Sequence, residues 1–146
     1  MKPARALLLL ALLPAGCWPN NPDAPEETAL ERFQMAEEYL AGGHYYAAAI
    51  EYEFVVRHRW RWKEPYIKLA RCYESLGRDE DAIADLERLL VVDSRDEDAL
   101  RSLGRLYAKR GDAARAIAQY RQLRTLHPED RSLDGEIARL EALGKP

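Results

Sequence analysis

The chain has 146 residues, enough for one domain with a modest core and too few for two independent ones. A charged fraction of 32% and a hydrophobic fraction of 47% exclude a disordered chain and fit a soluble globular or solenoid protein. A formal net charge of -3 leaves no bulk electrostatic case for nucleic acid as a partner. Tyrosine dominates the aromatics, with 8 against 2 Phe and 3 Trp, which suits helix seams that are apolar at one end and wet at the other.

The first element is a targeting segment. Lys2 and Arg5 precede an unbroken Ala/Leu run from Ala6 to Leu13, and Pro14 ends it. A run of that length is too short to span a bilayer, which needs about 20 residues, and is the right size for the core of a secretory signal. Residues 1–16 are therefore read as a signal peptide and set aside from the fold. The stretch Leu13-Pro14-Ala15-Gly16-Cys17 resembles a bacterial lipobox, with Pro14 standing where that family usually has an aliphatic residue. The resemblance implies a lipidated Cys17 as the mature N-terminus. Trp18, rather than Asp, after the cysteine resembles sorting to an outer membrane facing the periplasm. The alternative is a soluble periplasmic or secreted protein. Cys72 is then a small buried apolar residue without a partner, or else half of a Cys17–Cys72 disulfide.

Residues 17–25 carry the lipidated Cys and a flexible tether, with three prolines in Trp-Pro-Asn-Asn-Pro-Asp-Ala-Pro and no periodicity. Asp23 is placed to cap the first helix, with Glu26 closing a capping box.

A repeat then organises the chain. Tyr39, Tyr73 and Tyr107 are spaced by 34 residues, and so are Gly43, Gly77 and Gly111. Ala48, Ala82 and Ala116 keep the same spacing. So do Met35, Leu69 and Leu103, then Val55, Leu89 and Leu123, and the small residues Ala36, Ala70 and Gly104. Each column has a mechanical reason. The small residue lets two helices approach. The Tyr lies one turn on along the same face. The Gly ends the helix in the left-handed conformation, and the Ala beyond it is where the second helix meets the first. The spacing predicts helices over roughly 25–42, 45–59, 64–76, 79–92, 97–110, 113–126 and 131–143.

These columns resemble the tetratricopeptide repeat (TPR), a helix-turn-helix unit of 34 residues. The resemblance implies an all-α, right-handed α-solenoid: a TPR domain over 26–143, with repeats 29–62, 63–96 and 97–130 and a C-terminal capping helix at 131–143. The third repeat matches best, with Pro128 at the helix-terminating position. The first departs most, with Arg32 where the family prefers a large aromatic. In the last segment Leu133, Ile137 and Leu140 recur on one side, as a closing helix requires.

No catalytic constellation stands out. His44, His58 and His127 are scattered, with no metal-ligand spacing, and neither a nucleophile elbow nor an HExxH motif occurs. No enzyme activity, cofactor, metal or small-molecule substrate is expected.

The TPR resemblance places the second, fifth, ninth and twelfth residues of each repeat on a concave groove. Leu30, Phe33, Glu37 and Leu40 hold these positions in the first repeat. Glu64, Ile67, Arg71 and Glu74 hold them in the second, and Asp98, Arg101, Arg105 and Ala108 in the third. Arg139 extends the basic end. The expected ligand is a protein or peptide with an apolar anchor and an acidic or C-terminal carboxylate end, held by Arg71, Arg101 and Arg105. The alternative for each Arg is a solvated or locally paired side chain. The pattern departs from the TPR clamp that grips chaperone C-termini, which wants Lys and Asn where this chain has Phe33 and Glu37. A second patch alternates bases with aromatics through Arg57, Arg59, Trp60, Arg61 and Trp62. It reads as a partner or lipid-headgroup surface, or as a turn in which one Trp packs inward. The function expected is that of a non-catalytic scaffold, anchored by lipid, in envelope or pilus assembly. A soluble module or an accessory subunit of an envelope enzyme is the alternative.

Overall fold

A computed structural model describes residues 26–143. The expected signal peptide at 1–16, the expected lipidation of Cys17, the expected tether over 17–25 and the expected Asp23 cap lie outside the described residues. Among the described residues there are seven helices and no strand: α1 (Glu26–Ala41), α2 (Tyr45–His58), α3 (Glu64–Ser75), α4 (Asp79–Val92), α5 (Glu97–Lys109), α6 (Ala113–Leu126) and α7 (Arg131–Leu143). Each helix packs chiefly on the next in sequence, so the core is a continuous stripe. None of these helices is long and apolar enough to cross a membrane.

The turn inside each repeat is built by glycine. Gly43, Gly77 and Gly111 have φ of 74°, 71° and 83°, a region costly for any residue with a Cβ. That conformation lets the next amide reach back to a carbonyl the helix would leave unpaired. His44 N–H bonds the Tyr39 carbonyl at 2.8 Å, Arg78 N–H the Tyr73 carbonyl at 2.8 Å, and Asp112 N–H the Tyr107 carbonyl at 2.9 Å. At the next starts, Asp96 and Asp112 cap α5 and α6 by accepting from Ala99 N–H at 3.0 Å and Arg115 N–H at 3.1 Å.

The core holds the expected columns. Ala48, Ala82 and Ala116 are fully buried, as are Val55, Leu89 and Leu123. Three junctions between successive repeats carry the same polar bridge, twenty residues apart in sequence. The Tyr73 hydroxyl donates to Glu53 at 2.5 Å, the Tyr107 hydroxyl donates to Glu87, and Arg121 donates to Glu141 at 2.7 Å. Glu141 stands in the tyrosine column, so α7 behaves as the first helix of a fourth, unfinished repeat.

One expected equivalence fails. Tyr73 and Tyr107 are 4% and 1% exposed, but Tyr39 is 36% exposed, and Met35 is 40% exposed where Leu69 and Leu103 are buried. The reason is positional. Tyr73 and Tyr107 are covered by the second helix of the preceding repeat, and no described helix precedes α1.

Candidate functional site

Of the expected groove residues, those of the second and third repeats such as Ile67, Arg71, Arg101 and Arg105 border two concavities between the first helices, and Leu30, Phe33, Glu37 and Leu40 line neither of them. The two share Ser102 and Arg105. One, of about 680 Å³, lies between α3 and α5 and is lined by Ile67, Lys68, Arg71, Asp98 and Arg105 among others. The other, of about 600 Å³, lies between α5 and α7 and takes in Arg101, Arg105, Tyr120, Leu133 and Arg139. The structure thus brings Arg71 next to Arg105 in one depression, and Arg101 and Arg139 next to it in the other.

The charge state of this surface differs from the expectation of a three-arginine clamp. Arg105 is held by Glu74 through two contacts, Nη2–Oε1 at 2.8 Å and Nη1–Oε2 at 2.6 Å. The paired carboxylate raises its pKa further. Arg139 is bound to Glu136 at 2.6 Å. Lys68 lies 3.1 Å from Glu37 and 3.9 Å from Glu64. Lys109 reaches Asp79 at 2.5 Å, and Lys63 joins Asp93 at 2.9 Å and Asp96 at 3.4 Å. These pairs form within one helix, as for Arg139 and Glu136, or between neighbouring helices and turns, so they close locally. Arg71 and Arg101 are exposed, and neither has a carboxylate within ion-pair distance among the described residues. Of the three arginines expected to hold a carboxylate, these two alone lack an ion pair among the described residues.

The apolar end is also rearranged. Phe33 stacks on Trp62 with ring centroids 4.5 Å apart and meets Tyr52 edge-on at 5.8 Å. It is therefore half-buried in the junction between the first two repeats, not free as an anchor. Leu30 remains exposed one turn earlier, and Ile67 and Leu40 are half-buried. The Tyr52 hydroxyl donates to Glu37. Burial works against the Glu37 carboxylate, but Tyr52, Lys68 and the nearby Arg71 outweigh it and hold its pKa below the usual range.

The second patch divides. Trp62 turns inward onto Phe33, and Trp60 stays 52% exposed with the Arg61 guanidinium 4.6 Å above its ring. Arg57 is exposed and borders a smaller depression of about 240 Å³ with Glu53, Tyr73, Asp81, Asp85 and Arg88, while Arg59 is half-buried. Sequence reasoning missed this depression. Glu53 and Asp81 are at least partly exposed, but Asp85 is buried, and periodicity alone does not show that its carboxyl lies between α2 and α4. Burial is the leading effect on Asp85 and raises its carboxyl pKa, with Arg88 at 2.7 Å opposing it. Among the described residues no cluster of His, Cys, Asp and Glu could hold a metal.

A family model described as the bacterial transcriptional activator domain matches residues 22–142. No curated protein matches the chain. Several solved structures share its fold. The first TPR of Spaghetti (RPAP3), bound to the HSP90 peptide SRMEEVD, is 17% identical with a TM-score of 0.71, covering 83% of this chain and 97% of that one. The TPR2B domain of yeast Sti1 in a pHsp70 complex is 18% identical with a TM-score of 0.68, covering 80% and 98%. The Yersinia enterocolitica type III secretion chaperone SycD, with a peptide of the translocator YopD, is 14% identical with a TM-score of 0.67, covering 83% and 92%.

Proposed function

Because the chain belongs to the bacterial transcriptional activator domain family and folds as a TPR solenoid, we propose that it is a non-catalytic protein-interaction scaffold. Its concave groove takes an extended peptide that presents carboxylates. The observation that carries this reading is that Arg71 and Arg101 have no carboxylate within ion-pair distance among the described residues, on a surface where the other cations are already paired. An unpaired guanidinium is the group a carboxylate can bind bidentately without first breaking an ion pair. Exposed Leu30 and half-buried Ile67 offer the apolar contact. Solved structures that share this fold hold bound peptides, which supports the same use here.

The test uses labelled peptides with a free acidic C-terminus beside amidated, neutral controls. Acidic peptides should bind more weakly as salt rises. Arg71→Ala or Arg101→Ala should each cost about 1.5–3 kcal/mol of binding, as for a hydrogen bond to a charged group. Equal binding of acidic and neutral peptides, or indifference to both substitutions, refutes the groove reading.

We place the scaffold at the cell envelope through a lipidated Cys17, on the strength of the leader-like residues 1–16 and the lipobox-like stretch. Cys17→Ser should move the protein from the membrane to the soluble fraction with its helical signal intact. Wild-type protein in the soluble fraction favours the unanchored periplasmic or secreted alternative. Membership of the bacterial transcriptional activator domain family supports a second reading, an accessory module of a transcriptional activator assembly. A cytoplasmic location in the same fractionation favours it over the envelope scaffold.

A further inference from the structure

Tyr52, Tyr66, Tyr73, Tyr107 and Tyr120 are all buried. Four of them use their hydroxyls inside the fold. Tyr52 donates to Glu37, Tyr66 to the Trp60 carbonyl at 3.2 Å, Tyr73 to Glu53 at 2.5 Å and Tyr107 to Glu87. Tyr120 is the exception. It is 8% exposed, and its hydroxyl has no hydrogen-bond partner among the described residues. A buried hydroxyl left so is costly, and such a group asks for an explanation. Tyr120 lines the depression of about 600 Å³ between α5 and α7. Burial raises its pKa, and the charged groups next in effect, Glu136, Arg105, Arg139 and Arg101, all line that same depression. The hydroxyl is therefore aimed into it.

The first repeat shows what a hydroxyl at this position takes. Tyr52 and Tyr120 stand two repeats apart in the same register position, with Leu86 between them. The Tyr52 hydroxyl donates to one oxygen of Glu37, and the other oxygen takes Lys68 Nζ at 3.1 Å. A carboxylate thus sits between a tyrosine hydroxyl and a cation. In the third repeat Arg105 holds the position of Glu37, and it is turned to Glu74. Glu136, the one carboxylate among the described residues lining this depression, is bound to Arg139 at 2.6 Å. The third repeat keeps the hydroxyl, lacks the acid at the Glu37 position, and sets Arg101 beside it.

We propose that the depression between α5 and α7 is a carboxylate subsite of the groove, in which the Tyr120 hydroxyl donates to one oxygen of a peptide carboxylate and the Arg101 guanidinium donates to the other. This rests on the groove reading and deepens it by naming a residue that selects the ligand. Two donors converge there, and hydrogen bonds to an ionised acceptor are the stronger kind. A carboxamide in the same place turns its own N–H donors toward one of them. Leu143, 73% exposed on the same depression, offers contact to an apolar side chain next to that carboxylate.

The probe is a fluorescein-labelled peptide ending in Leu-Glu-Asp with a free C-terminus, titrated with the full chain. Two controls accompany it, one amidated at the C-terminus and one ending in Leu-Gln-Asn. Tyr120→Phe should leave the melt at or above wild type, because no hydrogen bond of the fold is removed. It should weaken the probe about tenfold. One control should lose this sensitivity: the amidated peptide if the terminal carboxylate sits on Tyr120, the Gln-Asn peptide if a side chain does. Arg101→Ala should single out the same control. Arg71→Ala, in the other concavity, should weaken the probe and leave the Tyr120→Phe effect in place. Salt-sensitive binding that needs Arg71 and is indifferent to Tyr120→Phe overturns the subsite and leaves the groove reading standing. Absence of saturable binding by the probe overturns both. Equal weakening of all three peptides by Tyr120→Phe makes its role purely structural and overturns the proposal. So do Tyr120→Phe and Glu136→Gln that each lower the Tm with no further loss in the double variant, since the hydroxyl then belongs to Glu136.

Discussion

Gly104 sits in the middle of α5 at a position where the two preceding repeats carry Ala36 and Ala70. Replacing it with Ala should raise helix stability by about 1 kcal/mol, since Gly in a helix interior is disfavoured by that amount. The structure predicts the opposite net effect. A Cβ at Gly104 would lie 2.7 Å from Cε1, 2.8 Å from Cζ and 3.1 Å from Cδ1 of Tyr120. Tyr120 is buried at the α5–α6 contact, so its ring must shift toward the groove. Overpacking of this kind costs about 1–3 kcal/mol. The net is a loss of roughly 0–2 kcal/mol, or a drop of up to several degrees in Tm for a domain of this size. The assay is urea unfolding of Gly104→Ala, Tyr120→Leu and the double variant. The second repeat already pairs Ala70 with Leu86 at the equivalent positions. The double variant should therefore be more stable than the sum of the singles by about 1 kcal/mol or more. Additive energies, or a single Gly104→Ala more stable than wild type by the full helix-propensity gain, would refute the steric argument.

Burial pushes the Cys72 thiol up to about 11, so at neutral pH it should resist thiol reagents until the domain unfolds. In a Cys17→Ser background, reaction at the rate of a free thiol would show that the α3 seam opens. His127 sits 2.7 Å from Glu97 and 3.3 Å from Glu129, and these carboxylates raise its pKa. The raised value means the link between α5 and the end of α6 is fully present below the ordinary histidine pKa and is lost as pH rises through the higher folded one. An NMR titration should place His127 above a free histidine, and Glu97→Gln should bring it down. For Asp85 the sign reverses. Burial raises its folded pKa, so ionisation at neutral pH opposes folding, and Asp85→Asn should raise the Tm at pH 7. That gain should shrink as pH falls toward the ordinary carboxylate range, and a lower Tm at pH 7 would show that the Arg88 pair outweighs burial. Ala82→Arg should unfold the domain, because a fully buried contact of α4 would receive both excess volume and an unpaired charge. A melt unchanged by that substitution would show the repeat register to be wrong.

Local chemistry repeated at a fixed spacing was legible without coordinates. Gly43, Gly77 and Gly111 mark turns because positive φ is a property of one residue type, and the alanine column marks helix contacts because only a small side chain fits there. The groove positions could be assigned because helical periodicity fixes which side a residue occupies. What periodicity could not supply was the partner of each side chain. Arg105 and Arg71 occupy equivalent positions, yet Glu74 pairs with one and, among the described residues, no carboxylate lies within ion-pair distance of the other, because pairing depends on which carboxylate the adjacent helix brings within reach. Phe33 looked like a groove anchor until the following turn laid Trp62 on it. Tyr39 shares its column with two buried tyrosines and is itself open, since burial belongs to the neighbour and not to the residue. The sequence by itself determined the helices, their turns and the repeat that stacks them, because these follow from backbone preferences and spacing along one chain. Only the tertiary structure decided which charges remain free and which apolar face is left uncovered, because both depend on groups brought together from distant positions.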